Sequence, residues 1–169
     1  MKTKIAGILV LVMLVLSTVP AFAVQAEYNN TKSFLEQLDS YNLNYTVVSR
    51  SEGDTDDHIQ MDNKGDSCSY TFQFFFDENN SQANIRVWYL IYYNPDEQPN
   101  VLAALNKLNN DYKFGRWYAD ESDNSVTFGM DLILRENDDA GAIVMEAAIR
   151  TAQIIDDAYA TLAPLSKAQ

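Results

Sequence analysis

Residues 101–134 read VLAALNKLNNDYKFGRWYADESDNSVTFGMDLIL, and three kinds of local pattern follow one another within them. Val101, Leu102, Leu105 and Leu108 recur at helical spacing, with Asn106, Lys107 and Asn110 opposite. That spacing predicts an amphipathic helix from Pro99 to about Asn110. Pro99 suits a first helical turn, where its missing N–H costs nothing. A strand is expected from Tyr112 to Ala119, carrying Phe114, Trp117 and Tyr118 around Gly115. Ser122-Asp123-Asn124-Ser125 is turn chemistry, because Asp and Asn side chains bond nearby backbone and Asn tolerates positive φ. From there Val126, Phe128, Met130, Leu132 and Leu134 alternate with Thr127, Gly129, Asp131, Ile133 and Arg135. Alternation sustained to that length means a strand with one buried face. The two strands form a hairpin with an acidic turn at its tip.

Upstream, a helix is expected from about Thr31 to Tyr41, with Phe34, Leu35, Leu38 and Tyr41 on its apolar face and Thr31 or Asn30 as N-cap. Tyr45 to Arg50 is short and β-rich, Ser51 to Asp57 is a loop, and His58 to Asp62 returns as a strand with Ile59 and Met61 on one side. Cys68, Tyr70, Phe72, Phe74 and Phe76 share one face of the next strand, and Ser69, Thr71 and Gln73 keep the other face wet. Asn84 to Tyr93 differs. Ile85, Val87, Tyr89, Ile91 and Tyr93 fill one face, while Trp88, Leu90 and Tyr92 stand on the other. Downstream, Asn137 or Asp138 can cap a long final helix from about Ala140 to Ala163. Its apolar stripe holds Ile143, Val144, Ala147, Ala148, Thr151, Ile154, Ile155, Ala158, Tyr159 and Leu162. The order is helix, about three strands, helix, two strands, helix. That is an α+β class, with a largely antiparallel sheet of about five strands and helices packed on one face.

Leu105-Asn106 and Leu108-Asn109, then Phe114-Gly115-Arg116-Trp117, then a hairpin and a second aliphatic strand resemble the YbjN family. These are bacterial proteins labelled sensory transduction regulators, with a fold similar to type III secretion chaperones. The resemblance covers roughly Phe34 to Leu162 by element order and Leu105 to Trp117 by residue motif. It implies a non-catalytic regulatory or chaperone-like protein-binding module and supplies no catalytic or ligand residues to carry over.

Residues 1–23 have the form of an export signal. Lys2 and Lys4 give a positive start, Ile5 to Leu16 an apolar core, and Ala21-Phe22-Ala23 a small-x-small cleavage site. The core is short for a spanning helix, so cleavage rather than anchoring is expected. The mature chain, 24–169, is then expected to be a single secreted or envelope-exported domain without stable membrane insertion. It would carry 10 basic residues against 24 acidic ones. Such a surface repels nucleic-acid phosphates, so nucleic acid is excluded as a partner. Cys68 is the one cysteine, so no internal disulfide can form and the hydrophobic core must hold the fold.

No phosphate-cradling glycine loop, zinc spacing or serine elbow is present, and no cofactor or metal site is expected. Carboxylates fall in loops, at Asp54, Asp56 and Asp57 and at Asp120, Glu121 and Asp123, or at exposed alternation positions such as Asp131. Solvated loops are the expectation. The competing reading is a small cation-binding domain or hydrolase that uses these loops with His58, the one histidine, which a hairpin could bring towards Cys68. The favoured candidate site is different in kind. Trp88, Leu90 and Tyr92, on the face opposite the core, would form a contact surface for a protein partner or a second copy.

Overall fold

The computed structural model describes residues 26–167. Six strands form one sheet, antiparallel throughout. They are β1 (Thr46–Val48), β2 (Asp57–Lys64), β3 (Ser69–Phe76), β4 (Gln82–Tyr92), β5 (Arg116–Asp120) and β6 (Ser125–Ile133). Their order across the sheet is β1-β2-β3-β4-β6-β5. Three helices, α1 (Asn29–Ser40), α2 (Gln98–Asp111) and α3 (Ala140–Leu162), complete the α+β fold. The sixth strand is β1, whose three residues form the outer edge beside β2.

One face of the sheet makes the core. Tyr70, Phe72, Phe74 and Phe76 of β3, Ala83, Ile85 and Val87 of β4, and Val126, Phe128 and Met130 of β6 are buried there. Phe34 of α1 packs on Phe74 and Phe76, with ring centroids 4.7 and 5.6 Å apart. α1 and α3 pack closely where they meet. The Gly141 N–H donates to Ser33 Oγ at 3.1 Å. A Cβ on Gly141 would lie 2.3 Å from the Ser33 carbonyl oxygen, so only glycine fits this crossing. The stripe expected on α3 is buried through Val144, Ala147, Ala148, Thr151, Ile154, Ile155, Ala158 and Leu162, whereas Ile143 is at the surface.

α1 begins two residues before the expected start, and its first turn is capped from outside the helix. No side chain of its own N-cap residue, Tyr28, serves it, and Thr31 is buried. Instead Asp57 Oδ2, at the start of β2, accepts the N–H groups of Glu27 and Tyr28 at 2.9 Å each. Asn80 Oδ1 accepts the Asn30 N–H at 2.9 Å. Arg50 Nη2 donates to Asp57 Oδ1 at 2.6 Å, and the guanidinium lies 4.7 Å over the Tyr28 ring. Burial alone would push the Asp57 carboxyl up; the Tyr28 N–H, the Arg50 guanidinium and the Glu27 N–H outweigh it and hold it below the ordinary carboxylate range. α3 is capped by Asp139 rather than by Asn137 or Asp138, its Oδ1 accepting the Ala142 N–H at 3.0 Å. Asp138 accepts the Arg135 N–H instead and shapes the loop.

The expected helix–hairpin unit, α2 with β5 and β6, is present, with a later start to its first strand. Tyr112 to Gly115 form a bend, not a strand. Gly115 has φ +77°, and a Cβ there would meet the Phe128 ring at 2.3 Å. β5 therefore starts at Arg116.

The candidate contact face

The face of the sheet opposite the core carries His58, Gln60, Asp62 and Lys64 from β2, and Ser69, Thr71, Gln73 and Phe75 from β3. β4 adds Asn84, Arg86 and Trp88, β6 adds Thr127, Gly129, Asp131 and Ile133, and β5 adds Arg116, Tyr118 and Asp120. An aromatic row crosses three strands here. The His58 ring stacks on Phe75 at 4.4 Å, and Phe75 lies 5.9 Å from Trp88. Trp88 is 38% exposed, and Ile133, at the far end of β6, is 84% exposed.

Several polar groups on this face pair with one another. His58 Nε2 and Gln73 Oε1 are 2.7 Å apart, and Thr71 Oγ1 donates to Asp62 Oδ1 at 2.6 Å. Asp131 takes two guanidinium groups, Arg86 on one oxygen and Arg116 on the other. Arg86 lies flat enough to donate to the Met130 carbonyl at 3.1 Å as well. A Cβ on Gly129 would meet it at 3.3 Å.

Trp88, Leu90 and Tyr92 are only partly arranged as the alternation implied. Between the pairs Val87↔Phe128 and Ile91↔Val126, β4 has two more residues than β6. The excess is taken up at Tyr89, whose φ of +59° is left-handed. Tyr89 is therefore not in the core with Ile85, Val87, Ile91 and Tyr93. It is 55% exposed and stacks on Tyr92 with rings 5.6 Å apart and nearly parallel. Leu90 is half-buried and leans on the core, so the exposed apolar groups of β4 are Trp88, Tyr89 and Tyr92. β3 pairs with β4 only from Gln73↔Arg86 to Phe76↔Ala83. Past that point the freed side of β4 borders a hollow of about 390 Å³ lined by Tyr89, Leu90, Tyr92, Tyr159 and Lys167. The Lys167 N–H closes its rim by donating to the Tyr92 carbonyl at 2.7 Å.

The residues of the competing reading are not assembled. His58 and Cys68 lie on opposite faces and at opposite ends of the β2–β3 pair, since His58 faces Phe75 while Lys64 faces Ser69. Cys68 is half-buried beside the core, and burial, with Asp156 nearby, pushes its thiol up to about 11. A neutral thiol is a poor nucleophile. Asp57 is committed to Arg50 and the start of α1, and Asp54 accepts the Ser51 N–H within its loop. At the hairpin tip, Asp120 Oδ1 accepts the Ser122 N–H and hydroxyl, which hold its carboxyl below the ordinary range. Among the described residues no three His, Cys, Asp or Glu side chains converge as metal ligands would.

The motif between Leu105 and Trp117 has a definite structural task. Leu105 and Leu108 are buried, and the Asn109 amide reaches across to β5. Its Oδ1 accepts the Trp117 N–H at 2.8 Å and its Nδ2 donates to the Trp117 carbonyl at 3.0 Å. One side chain thus completes both outward backbone bonds of Trp117. The Trp117 ring packs edge-on against Phe128 at 4.9 Å. The YbjN family profile, described as "Putative bacterial sensory transduction regulator", matches residues 33–163 and so takes in this whole unit. The chain belongs to the YbjN family. A solved structure, "Crystal structure of YbjN, a putative transcription regulator from E. coli", is 13% identical and superposes with a TM-score of 0.49 over 77% of this chain and 91% of that one. No curated protein matches the sequence. Among the described residues no helix is long and apolar enough to cross a membrane. The expected export signal, residues 1–23, lies outside the described residues.

Proposed function

We propose that this YbjN-family chain is an exported, non-catalytic regulatory module that works by binding protein through the open face of its sheet. The observation that carries this is a face with Trp88, Tyr92 and Ile133 exposed on it, while α1, α2 and α3, the α-helices among the described residues, contribute their buried residues to the core. Exposed aromatic groups on a rigid strand are the kind of anchor that dominates protein interfaces. Trp88 and Tyr92 are the proposed contact groups; Leu90, expected beside them, leans on the core instead. Family membership supports a regulatory role. The basic start, apolar core and Ala21-Phe22-Ala23 site support export.

A photo-reactive amino acid placed at position 88, and as a control at the exposed Ile149 on α3, tests the contact in cells. Adducts from position 88 and none from 149 are expected. Equal labelling, or none at 88, would end the proposal. Export is tested separately by intact mass. A mature protein beginning at or near Val24 is expected, and a membrane-bound chain retaining Met1 would refute it.

A further inference from the structure

We infer that the partner of this face is a second copy of the chain, in a two-fold, sheet-on-sheet dimer; the inference rests on the contact-face reading above. Three features select a copy over a foreign protein. The first is charge. The chain carries a net charge of −12, yet this face is balanced, with Lys64, Arg86 and Arg116 against Asp62, Asp120 and Asp131. It is therefore a surface on which two molecules of the same acidic protein can meet without setting carboxylate against carboxylate. A cationic partner would find nothing here to prefer it.

The second is that several of the polar side chains are already paired within the face: His58 with Gln73, Thr71 with Asp62, and Arg86 and Arg116 with Asp131. Burying them against an identical surface strands few donors or acceptors, so the desolvation cost of burying polar groups is kept low. The third is size. Six strands about 4.8 Å apart and about eight residues long present roughly 600–700 Å² once the short outer strands are allowed for. That approaches the roughly 800 Å² per partner of a standard stable interface. Phe75, Trp88 and Tyr118 supply apolar groups within it, and Ile133, at the far end of β6, supplies one at its rim.

Such a dimer has a distinctive response to salt. Its interface is charge-balanced and in large part internally paired, while the rest of each molecule repels the other. Raising ionic strength screens the repulsion and leaves the contact intact. Association should therefore tighten from low to high salt. A complex held by ion pairs would loosen.

The test is analytical ultracentrifugation of the protein as purified from cells expressing the full chain, at low and high sodium chloride. Wild type, Trp88→Ala and Ile133→Asn are compared, with circular dichroism as the fold check. Ile133 is so exposed that Ile133→Asn leaves the fold unchanged. The expected result is a dimer, tighter at high salt, weakened more than tenfold by each substitution. A monomer at all concentrations, a dimer indifferent to both substitutions, or a dimer that loosens with salt would each overturn the inference. The position-88 cross-linker separates this failure from that of the contact-face reading. Adducts of twice the protomer mass fit the copy. Adducts with other proteins alone would overturn the copy and leave the contact face standing.

Discussion

Phe128 and Thr127 are neighbours in β6 and face opposite sides of the sheet. Phe128 is fully buried against Trp117, so Phe128→Ala should leave a cavity and cost about 3–5 kcal/mol in a urea melt. Its position was legible from alternation alone. Thr127 is the residue that alternation misjudged. A period-two pattern assigns it to the wet face, and it does lie on the open face, but it is 3% exposed. It pairs directly with Tyr118 in a crowded part of that face. Alternation reports which way a side chain points and not how large its neighbours are. Thr127→Ala should accordingly cost about 1 kcal/mol, at the upper end for an open-face position. If the melts rank the two substitutions in the reverse order, the assignment of the core face is wrong. In the sequence Gly141 is simply one residue of a helix, yet its missing side chain lets α1 and α3 approach closely. Gly141→Ala should destabilise by about 1–3 kcal/mol, despite alanine's better helix propensity, because backbone must move to admit the methyl group. A neutral or stabilising result would mean the helices are free to slide apart.

Among the elements, the β5 edge depends on one amide. Asn109→Ala would leave the Trp117 N–H and carbonyl without their partner, at a cost of about 1–2 kcal/mol. Hydrogen exchange at the Trp117 amide should accelerate by more than the global loss of stability accounts for. Exchange that merely follows global unfolding would show that Asn109 does not hold the edge. The helix itself was plain in the sequence, because Val101, Leu105 and Leu108 are spaced for it. The amide bridge was not, since nothing local distinguishes Asn109 from Asn106 or Asn110. α1 illustrates the same limit. Its apolar face was readable, but its cap is Asp57, brought in through a bond spanning 29 residues to Tyr28, and no capping rule looks that far. The bulge in β4 was hidden for another reason. Five apolar residues at alternating positions read as one continuous strand, and only pairing with β6 shows that two are in excess. Alternation therefore places Trp88 and Tyr92 on the open face but puts Tyr89 in the core, where the bulge does not let it sit.

At the scale of the molecule, acid should be the sharpest stress. Asp57 and Asp77 are both held below the ordinary carboxylate range. For Asp77, burial acts upwards and the Ser81 hydroxyl with the Gln82 and Ser81 N–H groups outweighs it. Carboxyls depressed in the folded state contribute stability that is fully present above their unfolded pKa of about 4 and is lost as pH falls through their lower folded values. The melting temperature should therefore hold down to about pH 4 and drop below it. Asp57→Asn should start lower and fall less steeply. A variant whose acid profile parallels wild type would remove Asp57 from the account. The Cys68 thiol behaves in the opposite sense, its pKa being raised to about 11. Iodoacetamide at pH 8 should label it slowly in the folded protein and quickly in urea.

The close seat of α3 on α1 has a consequence for how the molecule is made. The bond from Gly141 to Ser33 joins residues 108 apart in sequence, so the first helix waits for the last. A ribosome that has released every strand has still not supplied the buried face of α3, and the aromatic surface around Phe34, Phe74 and Phe76 lacks part of its cover until it does. Until then that part of the core has no partner. A chain ending at Asp139 should show strand and helix signal by circular dichroism but no cooperative melt, and should bind a hydrophobic dye that the whole protein excludes.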